Sequence, residues 1–305
     1  MLTALIGIVI GLTLLAVAAD QFVAGAVRLS IRARIAPVIV GAIILGFGTS
    51  LPEFLVSALA AAQNAVDLGV ANVVGSNAAN LTLVLGVALL IAPMTIPKAV
   101  KRRELPLAVG LTLLFAGIIQ QTLNVSQGVL LLGLFGAGLV LMIWLARDDQ
   151  PQPLTTTLPT RFTALRIIGG LGATLAGAQI LIVSALSFAD TLGIAEGVVG
   201  VTLVAIGTSL PELATTVAAA RRKQTALIIG NLLGSNLFNA GAVGAITVIV
   251  GAGATVDAAI SEVATVIMLA VTFVVTVSAV IFTRLPRVVG ALLIAGYLAS
   301  LPLLF

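Results

Sequence analysis

Apolar stretches of about 18 residues or more follow one another along nearly the whole sequence, separated by short polar loops. A helix needs about 20 apolar residues to cross the hydrocarbon of a bilayer, so each stretch is long enough to do so. Charged residues make up 9% of the chain, against roughly a quarter in soluble domains, which excludes that class. The short alternating segments of a transmembrane barrel are missing. The pattern predicts an all-α integral membrane protein, because a helix satisfies its own backbone groups in lipid. Ten transmembrane helices are expected, over 2–27, 35–62, 69–93, 105–122, 125–146, 162–188, 195–220, 225–252, 257–283 and 286–305. The third and fourth are the least sharply bounded, because Pro93, Pro97 and Pro106 crowd their junction. The N-terminal run lacks a basic leading region and continues past Asp20, so it reads as a first span rather than a cleaved signal.

A pI near 10.3 invites a nucleic-acid reading, but the distribution of charge argues against it. With ten spans, every Lys and Arg falls in alternate loops: Arg28, Arg32 and Arg34, then Lys98, Lys101, Arg102 and Arg103, then Arg147, Arg161 and Arg166. Arg221, Arg222 and Lys223 and then Arg284 and Arg287 complete the set. By the positive-inside rule these loops are cytoplasmic, and both termini lie outside the cytoplasm. Asp67, Asp190, Glu196, Asp257 and Glu262 fall in or beside the opposite loops, and Trp144 reads as an interfacial anchor. Asp20 lies in the first span and is expected to reach toward Arg28 or a water-filled vestibule. The Pro- and Thr-rich segment 147–161 reads as a cytoplasmic linker between two units, 1–146 and 162–305.

Those units share a motif. "GTSLPE" stands at 48–53 and again at 207–212, and "GSNxxN" at 75–80 and 234–239. At an offset of 159, residues 41–86 match 200–245 at 16 of 46 positions without a gap. Five spans separate the copies, an odd number, so the halves run in opposite directions as two inverted five-helix repeats. Inverted repeats are a transporter signature, with the ion site near the midplane on interrupted helices.

Thr49 and Thr208 fall near the middle of their spans, with Glu53 and Glu212 about 6 Å further along. Pro52 and Pro211 lack an N–H, which is expected to kink each helix and free the Gly48 and Gly207 carbonyls. Thr49 and Glu53, Ser76 and Asn80, and Ser235 and Asn239 are four apart and share helix faces. Carboxylates, hydroxyls, amide oxygens and carbonyls make a site for a hard cation such as calcium or sodium. Cysteine and histidine are absent, so zinc and copper do not fit. Hydroxyls at such positions also serve helix packing, but intramembrane carboxylates with no basic residue at their depth mark function. Asn72 and Asn231, about a turn before GSN, read as bracing residues.

The stretches "GFGTSLPEFLVSALAAAQ…ANVVGSNAANLTLVLG" and "AIGTSLPELATTVAAARR…GNLLGSNLFNAGAVG" resemble the α-repeats of the cation/calcium exchanger superfamily, and of its prokaryotic sodium/calcium antiporters in particular. The resemblance covers the whole ten-span layout. It implies Glu53 and Glu212 as central ligands shared by calcium and sodium, with backbone carbonyls from Thr49, Thr208, Gly46 and Ala205. It implies sodium sites completed by Ser50, Ser209, Ser76 and Ser235, with Asn80 in the middle and spans one and six sliding to switch access. Many members carry aspartate where this chain has Asn239, which removes a third carboxylate and bears on coupling and ion preference. The large regulatory domain of animal exchangers has no counterpart in the short linker.

The expected activity is antiport of calcium against sodium in the cell (inner) membrane, with no cofactor. The alternative is an exchanger coupled to protons or carrying another divalent cation. A cation channel generally needs a ring of subunits. An enzyme would need a nucleophile and base that the sequence does not supply.

Overall fold

The computed structural model describes residues 1–146, 162–191 and 207–304. Helix α1 runs Leu2–Ala33 and ends at Arg34 in a left-handed cap whose N–H turns back to Ile31 and Ser30. After Pro37 the chain enters α2 (Pro37–Thr49), which is bent by 45° against α3 (Leu51–Ala62). Helix α4 covers Val66–Ile91. It stops two residues before Pro93, with Ala92 extended, because proline disfavours the helical conformation in the residue before it. Helix α5 (Glu104–Ile118) has 15 residues, shorter than the expected 105–122, and spans about 22 Å. Helix α6 (Val125–Leu145) opens on a capping box between Asn124 and Gln127. Then come α7 (Thr163–Thr191), α8 (Leu210–Arg221) and α9 (Thr225–Val250). Helices α10 (Ala259–Ile281) and α11 (Arg287–Leu304) complete the order. The linker 147–161, Glu196, Ala205 and the first part of the expected seventh span lie outside the described residues.

Six described helices are long and apolar enough to cross a membrane, and the bent α2–α3 pair, if it is one span, makes a seventh. Strands β1 (Met94–Thr95) and β2 (Arg284–Leu285) form a two-residue antiparallel pair that the all-helical expectation omitted.

Glycine contacts give the direction of the outer pair. Gly7 faces Ser184, Gly11 faces Leu181, Gly177 faces Leu15, Gly170 faces Phe22 and Gly25 faces Ile167. One number rises as the other falls, so α1 and α7 are antiparallel along their length. A Cβ on Gly11 or Gly177 would stand 2.7 Å from a backbone nitrogen of the other helix, a small-residue approach that suits a lipid setting. Much of the rest of both helices is exposed, as expected of lipid-facing surface.

Helices α2, α3, α4, α8 and α9 form the buried centre. One apolar cluster around Phe22, Leu45, Leu89 and Leu227 lies toward one end, and another around Val70, Phe115, Leu131 and Val243 toward the other. Side-chain and backbone contacts sort the loops into two groups. Lys101 Nζ donates to Phe282 O at 3.2 Å and Arg287 Nε to Leu90 O at 3.0 Å, beside the β pair. At the opposite end the Leu123 N–H donates to Ala254 O at 2.9 Å, and the Asp257 N–H to Asp67 Oδ1 at 2.9 Å. These groupings match the parity of the basic loops.

Asp20 does not take the partner expected from the sequence. Arg222, rather than Arg28, holds it, through Nε–Oδ1 at 2.8 Å and Nη2–Oδ2 at 2.7 Å. The pairing residue is 202 positions away, brought in by the end of α8. The two side chains are 31% and 43% exposed, so the pair is worth about 1 kcal/mol or less. Asp20→Asn is therefore expected to leave the thermal midpoint nearly unchanged in detergent. A clear drop would show a structural role that the exposed geometry does not support.

Candidate cation site

The repeated motif folds as a helix restart. Helix α2 stops at Thr49, Ser50 takes φ −84° and ψ 9°, and α3 begins at Leu51 with Pro52 and Glu53 in its first turn. Ser209 repeats this with φ −85° and ψ 3°, followed by Pro211 and Glu212 at the start of α8. Proline suits the first turn, where its missing N–H has no intrahelical partner to lose. The expected free carbonyl at Gly48 is not found, because the backbone N–H at the cap reaches it.

Ser-x-x-Glu at a helix start is the pattern of a capping box, in which both side chains turn back on the backbone. Neither copy forms one. Ser50 Oγ instead donates to Glu212 Oε1 at 2.9 Å, across 162 residues of sequence. Both Glu53 carboxylate oxygens, Glu212 Oε2 and Ser209 Oγ are buried and have no partner among the described residues. The polar groups that would cap these helices are turned to the protein centre.

The GSN helices supply the other wall. α4 and α9 each pass into a π-helical segment, over Asn80–Val84 and Asn239–Val243, again offset by 159. Such segments widen one turn and are frequent at functional sites. The segment at Asn239 packs on α3, which carries Glu53, and the segment at Asn80 packs on α8, which carries Glu212. Asn77 Nδ2 donates to Asn236 O at 3.5 Å while Asn236 Nδ2 donates to Asn77 O at 3.2 Å, a reciprocal pair between the copies. Asn80 Nδ2 donates to Asn236 Oδ1 at 3.0 Å, which leaves its own Oδ1 free. The expectation gave these third letters of GSN no part, although the motif itself pointed to them.

Eleven of the expected site residues are buried: Gly46, Thr49, Ser50, Glu53, Ser76, Asn80, Thr208, Ser209, Glu212, Ser235 and Asn239. Ser50, Thr49 and Ser235 approach the Glu212 carboxylate, and the two glutamates are close enough to repel each other. Ser76 Oγ, Thr208 Oγ1 and both amide atoms of Asn239 lack hydrogen-bond partners. The Thr49 hydroxyl donates to Leu45 O at 2.9 Å and is turned along its own helix. The Gly46 carbonyl accepts both Ser235 Oγ and the Ser50 N–H at 3.1 Å. Ala205 lies outside the described residues.

Asn72 and Asn231 brace the two copies differently. Asn72 Nδ2 donates to the Glu53 carbonyl at 3.1 Å and to Ser57 Oγ at 2.9 Å. Asn231 Nδ2 reaches Thr216 Oγ1 at 3.0 Å, and Thr215 Oγ1 bonds the Glu212 carbonyl at 3.1 Å in its place. Phe47 and Phe238, with ring centroids 4.8 Å apart, pack beside the Gly48 and Asn239 positions.

Buried oxygens without partners are rare in proteins, and buried carboxylates rarer. Three carboxylate oxygens of Glu53 and Glu212, the hydroxyls of Ser76, Thr208 and Ser209, and the amide oxygens of Asn80 and Asn239 lack partners among the described residues and suit a hard cation, whose charge offsets the repulsion between the glutamates. Among the described residues no third acidic group, histidine or cysteine joins them.

Residues 3–144 and 162–305 match the family described as sodium/calcium exchanger protein. CaxA of Alkalimonas amylolytica is 35% identical over the whole of this chain and 99% of its own. The sodium/calcium exchanger MaX1 of Methanosarcina acetivorans is 28% identical, over 76% of this chain and 79% of its own. The solved structure of the sodium–calcium exchanger NCX_Mj soaked with zero sodium and calcium superposes with a TM-score of 0.88 at 28% identity, covering 98% of each chain. The same exchanger soaked with 2.5 mM sodium and 10 mM strontium gives 0.87, covering 99% of this chain and 98% of that one. On the family match over both halves, this chain belongs to the sodium/calcium exchanger protein family.

Proposed function

We propose that this chain is a secondary antiporter that exchanges calcium for sodium by alternating access at one central site. The observation that carries the reading is the cluster of buried, unpartnered oxygens drawn from both copies of the motif, with Glu53 and Glu212 among them. The fold would comprise ten spans in two inverted five-helix repeats, 1–146 and 162–305, joined by a cytoplasmic linker over 147–161. The antiparallel α1 and α7 and the two groups of loops support that layout. Both termini would face away from the cytoplasm, in the inner membrane.

Glu53 and Glu212 would bind either ion. Ser50, Ser76, Ser209, Ser235, Asn80 and Asn239 would complete the flanking positions, with Thr49, Thr208, Gly46 and Ala205 contributing carbonyl or hydroxyl oxygens. Helices α1 and α7 pack chiefly on each other, which fits a pair that slides against the buried centre. What moves is an ion, so the site performs binding and release, not bond-making.

Calcium uptake into proteoliposomes loaded with sodium, choline or acid tests the reading. Uptake that requires internal sodium supports it, and uptake driven by the proton gradient alone contradicts the sodium coupling.

Asn72 should matter for affinity. Losing a buried hydrogen bond to the Glu53 carbonyl costs about 1–2 kcal/mol, or roughly a tenfold rise in the calcium concentration for half-maximal uptake. Asn231→Ala should change it less, since Thr215 holds the equivalent carbonyl. Equal effects would remove the asymmetric bracing.

A further inference from the structure

We propose that the end of the bundle where α1, α7 and α8 meet holds a site for a phosphate-type oxyanion, centred on Arg28. Arg28 lies near the end of α1 and is 5% exposed. Its Nε, Nη1 and Nη2 are buried, and nothing among the described residues accepts a hydrogen bond from them. A buried charge is retained only with a counter-charge, and the guanidinium is a rigid fork of donors matched to paired oxygens.

The surroundings add positive charge. Arg166 and Arg222 both act on Arg28 electrostatically. Arg166 is fixed alongside: its Cβ lies 3.2 Å from where a Cβ on Gly25 would stand, one turn before Arg28 on the same helix face. Asp20, the carboxylate bonded into this cluster, is already held by Arg222 through two short hydrogen bonds. Three guanidinium groups and one carboxylate leave an excess of two positive charges beside an unfilled fork. That excess suits phosphate, which offers several oxygens and a full negative charge.

These residues stand at or near helix ends in the basic loop set, which in the proposed ten-span layout would put them near the lipid headgroups on that side. Both an anionic lipid headgroup and a free phosphate carry the required chemistry. An oxyanion there would bridge α1, α7 and the end of α8, and so tie the outer helix pair to the buried centre.

The inference does not depend on exchange activity, and its test is a binding measurement. The purified 305-residue chain in detergent is unfolded thermally with rising short-chain phosphatidylglycerol, short-chain phosphatidylcholine or inorganic phosphate. The expected result is a saturable rise in midpoint with phosphatidylglycerol, exceeding that with phosphatidylcholine and lost in Arg28→Gln. That variant removes an unpaired buried charge, so its midpoint without ligand should be no lower than the parent's. Arg28→Lys keeps the charge without the fork and should respond weakly; a full response from it contradicts bidentate binding. A matching response to inorganic phosphate would identify the free anion as sufficient, and a response to phosphatidylglycerol alone would identify the headgroup. No response in the parent chain to either phosphate source, or equal responses in the parent and Arg28→Gln, overturns the proposal. So does a response that appears only after Asp148→Asn and Asp149→Asn, because the chain's own carboxylates would then fill the place.

Discussion

Glu53→Gln and Glu212→Gln are each expected to abolish calcium exchange, with initial uptake falling by about 100-fold or more. Both carboxylates are fully buried, and no basic side chain among the described residues pairs with them. Removing one partner of a buried charge interaction typically costs about 3–5 kcal/mol, and each 1.4 kcal/mol is tenfold. Glutamine keeps the shape and one oxygen, so the loss isolates charge from packing. It also removes the mutual repulsion of the glutamates, and the variants should unfold at temperatures no lower than the parent in ion-free buffer. Initial uptake rates and thermal midpoints, measured on the same preparations, separate a lost ligand from a lost fold. A well-folded variant that keeps even a third of the parent rate would remove that glutamate from the site.

Gly230→Ala and Gly234→Ala are expected to cause the largest losses of stability among single-methyl additions. A Cβ on Gly230 would stand 2.1 Å from the Val38 carbonyl oxygen, and one on Gly234 would stand 2.4 Å from Ala42 Cα. The obstacles are backbone atoms of α2, which cannot rotate aside, so the helices must separate. Overpacking of this kind costs about 1–3 kcal/mol, and the same shift would move Gly46 away from Ser235. Gly133, on α6, has nothing within 4 Å of the equivalent point, and Gly133→Ala should stay within about 1 kcal/mol of the parent. Thermal midpoints and the monodisperse fraction in detergent would show the difference. Equal behaviour of Gly133→Ala and Gly234→Ala would mean that α2 and α9 are not in such close contact.

Much of the candidate site was legible because its residues are a repeated word at a constant offset. The two GTSLPE copies restart helices at Ser50 and Ser209 with dihedral angles that agree within a few degrees. Proline and the carboxylate carry that signal in their chemistry. The π segments at Asn80 and Asn239 were not legible, since one extra residue in a turn leaves no compositional trace. The direct bond from Ser50 to Glu212 and the reciprocal Asn77–Asn236 pair depend on how the halves meet, which spacing within either half does not determine. The basic loops predicted which ends come together, but not that Arg222 would take Asp20 and leave Arg28 without a partner among the described residues. Helix α5 ended early for a local reason: after Ile118 the chain turns to bond Leu123 to the Ala254 loop.

The most direct test of a single shared site is equilibrium calcium binding to the purified chain, titrated calorimetrically at increasing sodium. One calcium should bind per chain and be displaced competitively by sodium, and Glu53→Gln and Glu212→Gln should each lose it. Calcium binding that ignores sodium, or that survives either substitution at full affinity, would contradict a site built from both halves of the repeat.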